Sequence, residues 1–492
     1  MITLTPDNPE FGYYMRIIEH VQQGRDEEEW IEYKHNNDDP ELIGQYLSAL
    51  GNIASIVNKD AGYILWGIDD KSHELIGTSF NPATAKKGGE LLESYLGHML
   101  SKNARFQFYR LHIGEKPIVV AASSRATAHP LSFAGTEYIR VGSSLKKLRD
   151  FPELERVLWL TLSVFSFESD IAVRDLSPQE IDQYIDLSSF YRLLHKPFPH
   201  EEADVVKDLT REGILKSQDD GRLSLRNAGA LAFGRDLSIY PALAHKAIRV
   251  LRHQATSLSK PAEEREFQEG FALCIDEIID LIDIWSGREE RIVGVTRQSF
   301  HPYPIEALRE MVANAFIHQD LTMRGSSILI HVYADKVVVQ NPGELLCDIR
   351  RSIDTTPKSR NEILATLLRH IGIVEEQGSG FDRIEENCAD NKMPSLLLET
   401  DKDRTVVTLF RRYGYPEFSQ SDLIRTCYTY TCLRHYNGLE TSNKALRERL
   451  GIDEHNAATV SRILKRCVEE GWLKPAQARD DKRMLNYVPY YA

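Results

Sequence analysis

The segment 308-LREMVANAFIHQD-320 carries the clearest structural signal in this chain. Read as a helix, it places Glu310, Asn314 and His318 on a single face, because residues four apart are neighbours on a helix surface. Apolar residues fill much of the remaining surface and can hold the helix against a core; they are Met311, Val312, Ala315, Phe316 and Ile317. A carboxylate, an amide and an imidazole in a row are either a solvated polar stripe or a site with a chemical purpose.

Two glycine-bearing segments downstream favour a functional site over a solvated polar stripe. Asn341-Pro342-Gly343 follows an apolar strand pattern, and Gly378-Ser379-Gly380 comes directly before a helical one. Glycines there let the backbone approach a phosphate, and a helix N-terminus adds a positive dipole. In phosphate chemistry on ATP, a carboxylate can orient or deprotonate the attacking water, and an amide oxygen can bind the bridging Mg²⁺. We therefore predict an ATP and magnesium site with Glu310 and Asn314 in these roles.

Composition limits the class of protein. With 492 residues the chain is too long for one core, and three or four domains are expected. It has no apolar run of about 18 residues and no signal layout at its start, so we expect a cytoplasmic protein that does not enter membranes. Six scattered cysteines without a CxxC pair indicate reduced, buried thiols rather than zinc ligands. A net charge of −13 argues against a nucleic-acid-coated protein but permits a local basic face.

The hydrophobic patterns predict an α/β (α+β) multidomain chain. Residues 1–165 form an α/β unit, with a helix from Pro40 to Asn58 followed by the buried strand "GYILWGID". A capping box at Ser177 opens a small winged-helix-like segment, residues 170–230. Residues 231–412 contain the predicted ATP site. Residues 420–492 read as three helices followed by a two-stranded tail.

A second group of carboxylates lies near the amino terminus. The segment "DEEEWIEYK" contains Glu27, Glu32 and Lys34, and an extended backbone would put Glu32 and Lys34 on one face. Asp69 and Asp70 end the later buried strand. Carboxylates that converge from separate segments can hold the divalent ions of a metal-dependent nuclease, with a lysine adding positive charge. The alternative is an acidic, solvated strand edge followed by a turn.

The carboxyl-terminal helices and tail are typical of a winged helix-turn-helix. The second helix of the motif displays Arg462, Lys465 and Arg466 outward, and the hairpin adds Arg479, Lys482 and Arg483. In such a module that helix enters the DNA major groove while the wing touches phosphates. We predict DNA binding by these residues; the alternative is a winged helix used for protein contact or dimerisation.

Residues from about 170 to 412 resemble the RecG-like family of ATP-binding proteins, whose ATP site belongs to the GHKL superfamily of gyrase, Hsp90, histidine kinases and MutL. The matching segments are "NAGALAFG", "YPIEALREMVANAFIHQD", "VVVQNPGEL" and "SRNEILATLLRHIGIVEEQGSGFDRI". The resemblance implies that Glu310 activates water, Asn314 binds magnesium and His318 matches the family's histidine. Around the nucleotide it implies turns at Gly343 and at Gly378-Ser379-Gly380. Asn341 stands where the superfamily has its adenine-reading aspartate.

Residues from about 27 to 150 are similar to the AlbA-like domain of the Schlafen proteins. The matching segments are "EEEWIEYK", "LGNIASIVNKDAGYILWGIDDKSHELIG" and "GTEYIRVGSSLKKL". Schlafen nucleases cut RNA, notably tRNA, and the resemblance implies metal ligands at Glu27, Glu32 and Asp70, with Asp69 as the alternative to Asp70. Mg²⁺ or Mn²⁺ would serve there. Many bacterial relatives keep these residues and only bind nucleic acid as regulators.

Two classes of function follow. The chain is either an ATP-regulated, metal-dependent nuclease acting on RNA or single-stranded DNA, for example in defence against phage, or an ATP-responsive transcriptional regulator whose amino-terminal unit only binds nucleic acid. Because superfamily members close a lid over ATP and dimerise, the resemblance also implies a homo-oligomer.

Overall fold

The computed structural model describes residues 1–22, 28–69, 72–164, 166–217, 222–253, 261–293, 296–355, 358–374, 380–476 and 485–492. The chain divides into an amino-terminal unit, residues 1–166, and a carboxyl-terminal unit, residues 167–492. The described residues contain 15 α-helices and several sheets, which confirms the predicted α+β multidomain class. All six cysteines are unpaired and five are buried, as predicted. No helix in the described part of the chain combines the length and apolarity needed to cross a lipid bilayer.

The amino-terminal unit is built on a five-stranded sheet of order β1-β6-β7-β3-β2. The strands of the whole unit are β1 (Ile2–Thr3), β2 (Ile31–Lys34), β3 (Ala61–Trp66), β4 (Lys86–Lys87), β5 (Glu90–Leu91), β6 (Phe106–Ile113), β7 (Lys116–Ser124), β8 (Ser132–Phe133), β9 (Thr136–Val141) and β10 (Ser144–Lys147). Strand β3 is buried along its whole length and lies between a parallel neighbour, β2, and an antiparallel one, β7. The apolar run that predicted a buried strand is therefore the centre of the unit.

Four helices accompany this sheet: α1 (Pro9–Gln22), α2 (Pro40–Ile56), α3 (Leu92–Met99) and α4 (Pro152–Val164). Helix α2 begins as its sequence predicts, with Asp39 accepting a hydrogen bond from the Glu41 backbone and Pro40 in the first turn. Within α2, Ser48 and Asn52 are fully buried and donate to the Leu131 carbonyl at 2.7 and 2.9 Å. These bonds fix the strands that follow Leu131 to the helix.

The carboxyl-terminal unit contains the remaining strands: β11 (Ile171–Leu176), β12 (Leu215–Ser217), β13 (Leu223–Arg226), β14 (Ile248–Arg252), β15 (Glu263–Phe267), β16 (Glu289–Val293), β17 (Thr296–Phe300), β18 (Leu329–Val332), β19 (Lys336–Pro342), β20 (Leu397–Thr400), β21 (Arg404–Phe410), β22 (Thr441–Ser442), β23 (Leu473–Pro475) and β24 (Asn486–Pro489). Its helices are α5 (Ile181–Tyr184), α6 (Leu187–Leu193), α7 (Glu202–Arg211), α8 (Asn227–Phe233), α9 (Phe271–Ser286), α10 (Ile305–His318), α11 (Glu362–His370), α12 (Phe381–Asp390), α13 (Gln420–Tyr436), α14 (Asn443–Leu450) and α15 (Ala457–Glu469). One continuous hydrophobic core runs through this unit from Leu176 to Leu473.

The unit opens with the predicted small segment of helices and a hairpin. Ser177 and Glu180 form the predicted capping box, followed by a 3₁₀ turn at Pro178–Glu180 and by α5. Strands β12 and β13 form the hairpin, with β11 as a third strand on β13. Just before β11, the buried carboxylate of Glu168 accepts from the backbone N–H groups of Ile363 and Leu364, each at 2.8 Å. This carboxylate therefore caps the start of α11, far along the chain.

The centre of the unit is a six-stranded sheet of order β15-β14-β18-β19-β21-β20. Helix α10, predicted from 308-LREMVANAFIHQD-320, packs against strand β19 of this sheet and against helices α9 and α12. Phe316 stacks on Phe271 of α9 with ring centroids 4.2 Å apart and planes at 8°. Burying one such ring contributes about 1.5–3 kcal/mol. The apolar side of α10 thus fixes which way its polar residues face.

Residues 420–492, which we call the C-terminal module, comprise α13, β22, α14, α15, β23 and β24. The three strands pair in the order β22-β24-β23, and apolar side chains of α14 and α15 are buried, including Leu446, Val460 and Leu464. The residues at the tip of the β23–β24 hairpin lie outside the described residues. The helices of this module share the core of the rest of the unit.

Candidate functional site

A pocket of about 740 Å³, counting its open mouth, lies between helix α10, strands β19 and β21, the start of α12, the segment 344–355 and residues 358–360. Its walls are mixed: apolar side chains cover much of the surface, and a few polar groups point inward. The lining residues are Met311, Asn314, Ala315, His318, Asn341, Glu344, Leu345, Leu346, Cys347, Ser352, Thr355, Lys358, Arg360, Phe381, Thr405 and Val407. A mostly apolar cleft with convergent polar groups is the usual form of a small-molecule site.

The polar face of α10 is directed at this pocket. Asn314 and His318 line it directly, and Glu310 lies one turn earlier on the same face. Asn314 is 9% exposed, and among the described residues its Nδ2 has no hydrogen-bond partner. A buried amide NH₂ donor without a described acceptor is uncommon in proteins and is the pattern expected of a group that donates to a ligand.

Gly380 brings the start of α12 against Glu310 and Asn314. Its φ of +77° is in the region that glycine adopts without strain. A Cβ at this position would lie against the side-chain ends of Glu310 and Asn314, 3.0 Å from Asn314 Cγ. The predicted glycine is therefore needed both for its backbone angle and for a close approach. Gly378 and Ser379 lie outside the described residues.

Glu310 also has a cationic neighbour that the sequence did not reveal. Arg383, one turn into α12, places Nη1 3.6 Å from Glu310 Oε2. Both side chains are largely buried, with 22% and 11% of their surface exposed. The pair therefore places a cation beside the carboxylate, next to the point where α12 begins.

The opposite wall is formed by the end of β19. Asn341 is buried and lies directly across from Thr405 in the β19–β21 register, and both line the pocket. The Thr405 hydroxyl donates to the Gly343 carbonyl at 2.8 Å. Gly343 has a φ of +99°, and a Cβ there would come within 2.8 Å of Asp320 Cβ. This wall is held by a tight turn and presents an amide and a hydroxyl.

His318 lies in the pocket as a neutral ring. Burial, with a smaller contribution from the nearby Arg360 cation, lowers its pKa from 6.5 to about 4. Arg360 is itself held in place, because its Nη1 donates to the carbonyls of Glu344 at 2.7 Å and His318 at 3.3 Å. At neutral pH His318 can therefore make hydrogen bonds but adds no charge, and the positive charge comes from Lys358 and Arg360.

These residues fit a nucleoside triphosphate with a magnesium ion. The side chains of Asn314 and Glu310 provide the hard oxygen donors that Mg²⁺ prefers. Lys358 and Arg360 supply cations at the pocket wall, and the N-terminus of α12 adds a positive dipole. Local spacing in the sequence does not identify three further residues of this site: Thr405, Arg360 and Arg383. Sheet register and helix packing bring them there.

In the amino-terminal unit, Glu32 and Lys34 lie on one face of β2, as predicted, and form an ion pair. Glu32 is 4% exposed, and its second oxygen is 3.1 Å from Nη1 of Arg140, which is 0% exposed. Arg140 also donates to the Ile31 carbonyl. The carboxylate is therefore enclosed by two cations, and no local motif points to Arg140 as one of them.

The other predicted ligands of this unit are only partly described. Asp69 lies beyond the end of β3, where its Oδ1 accepts from the Ser72 backbone at 2.8 Å and from its hydroxyl at 3.0 Å. Glu27 and Asp70 lie outside the described residues. Within the described ranges, no group of three or more His, Cys, Asp or Glu residues is arranged to hold a metal ion.

The predicted DNA-contacting residues of α15 are exposed. Arg466 pairs with Glu470 at 2.7 Å and Lys465 with Glu469 at 3.6 Å, whereas Arg462 donates to the Thr459 hydroxyl at 3.0 Å. Arg479, Lys482 and Arg483 lie outside the described residues. Helix α15 thus presents basic side chains whose charge is partly offset by neighbouring glutamates.

Comparison with known families matches two parts of the chain. Residues 27–149 match the Schlafen AlbA_2 family, and this range includes strands β2 to β10. Residues 325–409 match the HATPase_c_4 family, whose description names the C-terminal part of an ATP-dependent DNA helicase, recG. The chain therefore joins a Schlafen AlbA_2-type segment to a RecG-like ATPase-type segment, as predicted. An ATPase-type segment implies nucleotide binding, usually with Mg²⁺. Helix α10 itself precedes the second match.

Comparison with whole proteins is less informative. No curated protein matches the chain significantly. Among solved structures, a crystal structure of the DIP2311 protein from Corynebacterium diphtheriae aligns over 92% of each chain, with 17% sequence identity and a TM-score of 0.41. At that level the likeness supports no argument about this chain.

Proposed function

We propose that this chain binds ATP with Mg²⁺ in the pocket beside α10 and uses the nucleotide to control its action on nucleic acid. The observation that carries the proposal is the close approach of Gly380 to the side chains of Glu310 and Asn314, where the buried Asn314 Nδ2 has no acceptor among the described residues. A glycine-bearing helix N-terminus against a carboxylate and an amide is suited to hold a phosphate and its metal ion. Because ATP and nucleic acid meet inside the cell, we propose that the protein acts in the cytoplasm.

Each residue has a proposed role. Asn314 would offer its side-chain oxygen to magnesium, which when bound neutralises phosphate charge. Glu310 would orient and deprotonate the attacking water, with the Arg383 guanidinium 3.6 Å from its carboxylate. Lys358 and Arg360 would contact phosphate oxygens.

The base would occupy the opposite wall, beside Asn341 and Thr405. An amide presents both a donor and an acceptor, whereas the aspartate usual in the superfamily only accepts. His318, which is neutral, would donate or accept a hydrogen bond without repelling or attracting the phosphates.

Calorimetric titration of the full chain with Mg²⁺ and ATP tests this site. Asn314→Asp should abolish magnesium-dependent binding, because a second carboxylate beside Glu310 would repel the phosphates. Glu310→Ala should abolish turnover. Asn456→Asp, on an exposed turn, is the matched control and should change neither. Unchanged affinity and turnover in both pocket variants would remove the assignment.

For the amino-terminal unit, the first candidate activity is metal-dependent cleavage of RNA, notably tRNA, or of single-stranded DNA, with phage defence as the proposed setting. It is supported by the AlbA_2 match and by Glu32 and Lys34 sharing one face of β2. Glu27, Glu32 and Asp70, or Asp69 in its place, would bind Mg²⁺ or Mn²⁺.

A second candidate, an ATP-responsive transcriptional regulator, is favoured by the contact between Glu32 and Arg140. A buried carboxylate already neutralised by two cations must leave them before it can bind a divalent ion, which costs free energy. In this reading the unit only binds nucleic acid, and α15 of the C-terminal module contacts DNA.

Incubation of the full chain with tRNA and Mg²⁺ or Mn²⁺ separates the candidates. Cleavage that disappears in Glu32→Gln supports the nuclease, and cleavage that persists in this variant removes Glu32 from the site. No cleavage of RNA or DNA, together with protection of a specific duplex, supports the regulator. Sedimentation with and without ATP tests the proposed homo-oligomer.

A further inference from the structure

The pocket segment 344–355 touches the C-terminal module along one side. Leu345, Cys347 and Ser352 line the pocket, whereas the intervening turn Ile349–Arg351 faces the module. There the guanidinium of Arg350 lies over the Trp472 ring, 4.5 Å from its centroid. The Tyr428 hydroxyl donates to the carbonyl of Arg350. One short segment therefore contacts both the pocket and two elements of the module.

The next residue continues the connection. The guanidinium of Arg351 lies 4.6 Å from the centroid of the Tyr491 ring and pairs with Asp354 at 2.7 Å. The Arg351 carbonyl accepts from the backbone and the hydroxyl of Thr355, at 3.0 and 2.6 Å. Since Thr355 lines the pocket, Arg351 joins a pocket side chain to the end of the chain.

Helix α12 makes a second connection. Its first residue, Phe381, lines the pocket directly after Gly380. One turn later, Glu385 is 0% exposed and pairs at 3.0 Å with Arg449 of α14, which is 1% exposed. Ser395 donates to the same carboxylate oxygen at 2.7 Å. A buried pair of this kind fixes geometry strongly, because either charge alone would be unpaired in the core.

We infer that the C-terminal module senses nucleotide occupancy through the pocket segment 344–355 and helix α12, with Arg350 and Arg351 as the positioning residues. This inference rests on the proposed ATP site and names how that site is coupled to the module. A nucleotide that draws Ser352, Thr355 and Phe381 around itself changes the contacts of Arg350, Arg351 and Glu385. By linkage, any ligand of the module that prefers one arrangement changes ATP affinity by the same factor.

Hydrogen exchange of the full chain with Mg²⁺ and ATP as the probe tests the coupling. In the wild type, ATP should slow exchange at 344–355 and also in α13, β23 and β24, by about 5-fold or more, the lower end of typical coupling. In Arg350→Ala, ATP should still slow exchange at 344–355 but should lose most of its effect on exchange in α13, β23 and β24. Arg350→Lys, which keeps a cation over the Trp472 ring, should restore part of it.

Arg434→Ala is the matched control. Arg434 also stacks on an aromatic ring, that of Tyr430 at 5.8 Å, but both residues belong to the module itself. This variant should transmit the ATP effect as the wild type does. Because Arg350 is exposed, its replacement tests the contact without emptying the core.

The possible failures are distinguishable. If calorimetry finds no binding of ATP by the wild type, the ATP site and the coupling both fall. If ATP binds and protection ends at the pocket and α12, only the coupling is wrong. If Arg350→Ala transmits the effect undiminished, the Arg350 route is wrong.

Discussion

Two glutamates of this chain are each paired with an arginine, yet their surroundings differ. Glu32 is enclosed by Lys34 and by Arg140, which is wholly buried. Glu310 is 3.6 Å from a partly exposed Arg383 and lies beside a glycine and a pocket. Both patterns look alike in sequence, as acidic residues beside an apolar segment. Neither arrangement can be recognised from the local sequence, because the arginine partner of each glutamate comes from another element.

The largest effect should come from breaking the enclosed pair. Arg140→Met leaves Glu32 as a buried charge with Lys34 as its remaining partner, and should lower the free energy of unfolding by about 3–5 kcal/mol. Arg383→Met, the counterpart at the pocket, should cost less, about 1 kcal/mol, because the two groups are 3.6 Å apart and 22% of the Arg383 side chain remains exposed. Urea unfolding of both variants measures the difference. Equal losses would contradict the distinction between the two sites.

The next largest effect concerns the backbone beside Glu310. Gly380→Ala puts a Cβ against Glu310 and Asn314 and should weaken ATP binding by about 100-fold, close to 2.7 kcal/mol. Gly372→Ala is the control, because its φ of +72° is similar but a Cβ there would meet no described atom within 4 Å. Both variants carry about 1–2 kcal/mol of backbone strain. If calorimetry shows the same ATP affinity for both, the close approach does not matter.

A smaller effect is expected from pH. The lowered pKa of His318, about 4 against 6.5 when unfolded, means that the unfolded chain binds more protons between these values. Stability is therefore complete above pH 6.5 and falls as the pH drops towards 4, by about 1–2 kcal/mol for this partly exposed ring. His318→Gln should flatten that slope in unfolding measured from pH 7 to 4.

His331 provides the matched comparison for this pH effect. Burial, with His253 nearby, lowers its pKa to about 4 as well, but it lies in β18 and does not line the ATP pocket. His331→Gln should flatten the stability slope similarly and leave ATP affinity unchanged, whereas His318→Gln should alter both. A loss of ATP affinity in His331→Gln would contradict the assignment of the pocket.

The smallest effect should be at the proposed DNA surface. Arg462 donates to the Thr459 hydroxyl and, in the described part of the chain, pairs with no carboxylate, so we expect it to contribute one phosphate contact. Arg462→Ala should reduce the slope of log affinity against log salt by about 1. Lys207→Ala, on exposed α7, should leave the slope unchanged. Equal slopes for wild type and Arg462→Ala would exclude this residue from the interface.

Sequence patterns predicted the elements better than their arrangement. The helix of Glu310 and Asn314, the helix that starts at Pro40 and the turn at Gly343 follow from local periodicity, capping and glycine chemistry. The six-stranded order did not, because it depends on pairings between strands distant in sequence.

The same reason explains the site residues that were missed. Thr405 faces Asn341 through sheet register, and Arg140 meets Glu32 from a strand about a hundred residues later. Local spacing contains no information about such pairs. By contrast, Gly380 was predicted because the need for glycine at a helix start can be recognised from the chain itself.

The cap that Glu168 places on α11 has a practical consequence for dissecting the molecule. A fragment cut at residues 231–412 would lose this carboxylate and leave two backbone N–H groups at the start of α11 without their acceptor. The same cut removes Arg449, the partner of Glu385, together with helix α13, which packs on α12. We therefore expect the nucleotide-binding part to be unstable as an isolated fragment, because its stability depends on residues from the segments on both sides of it.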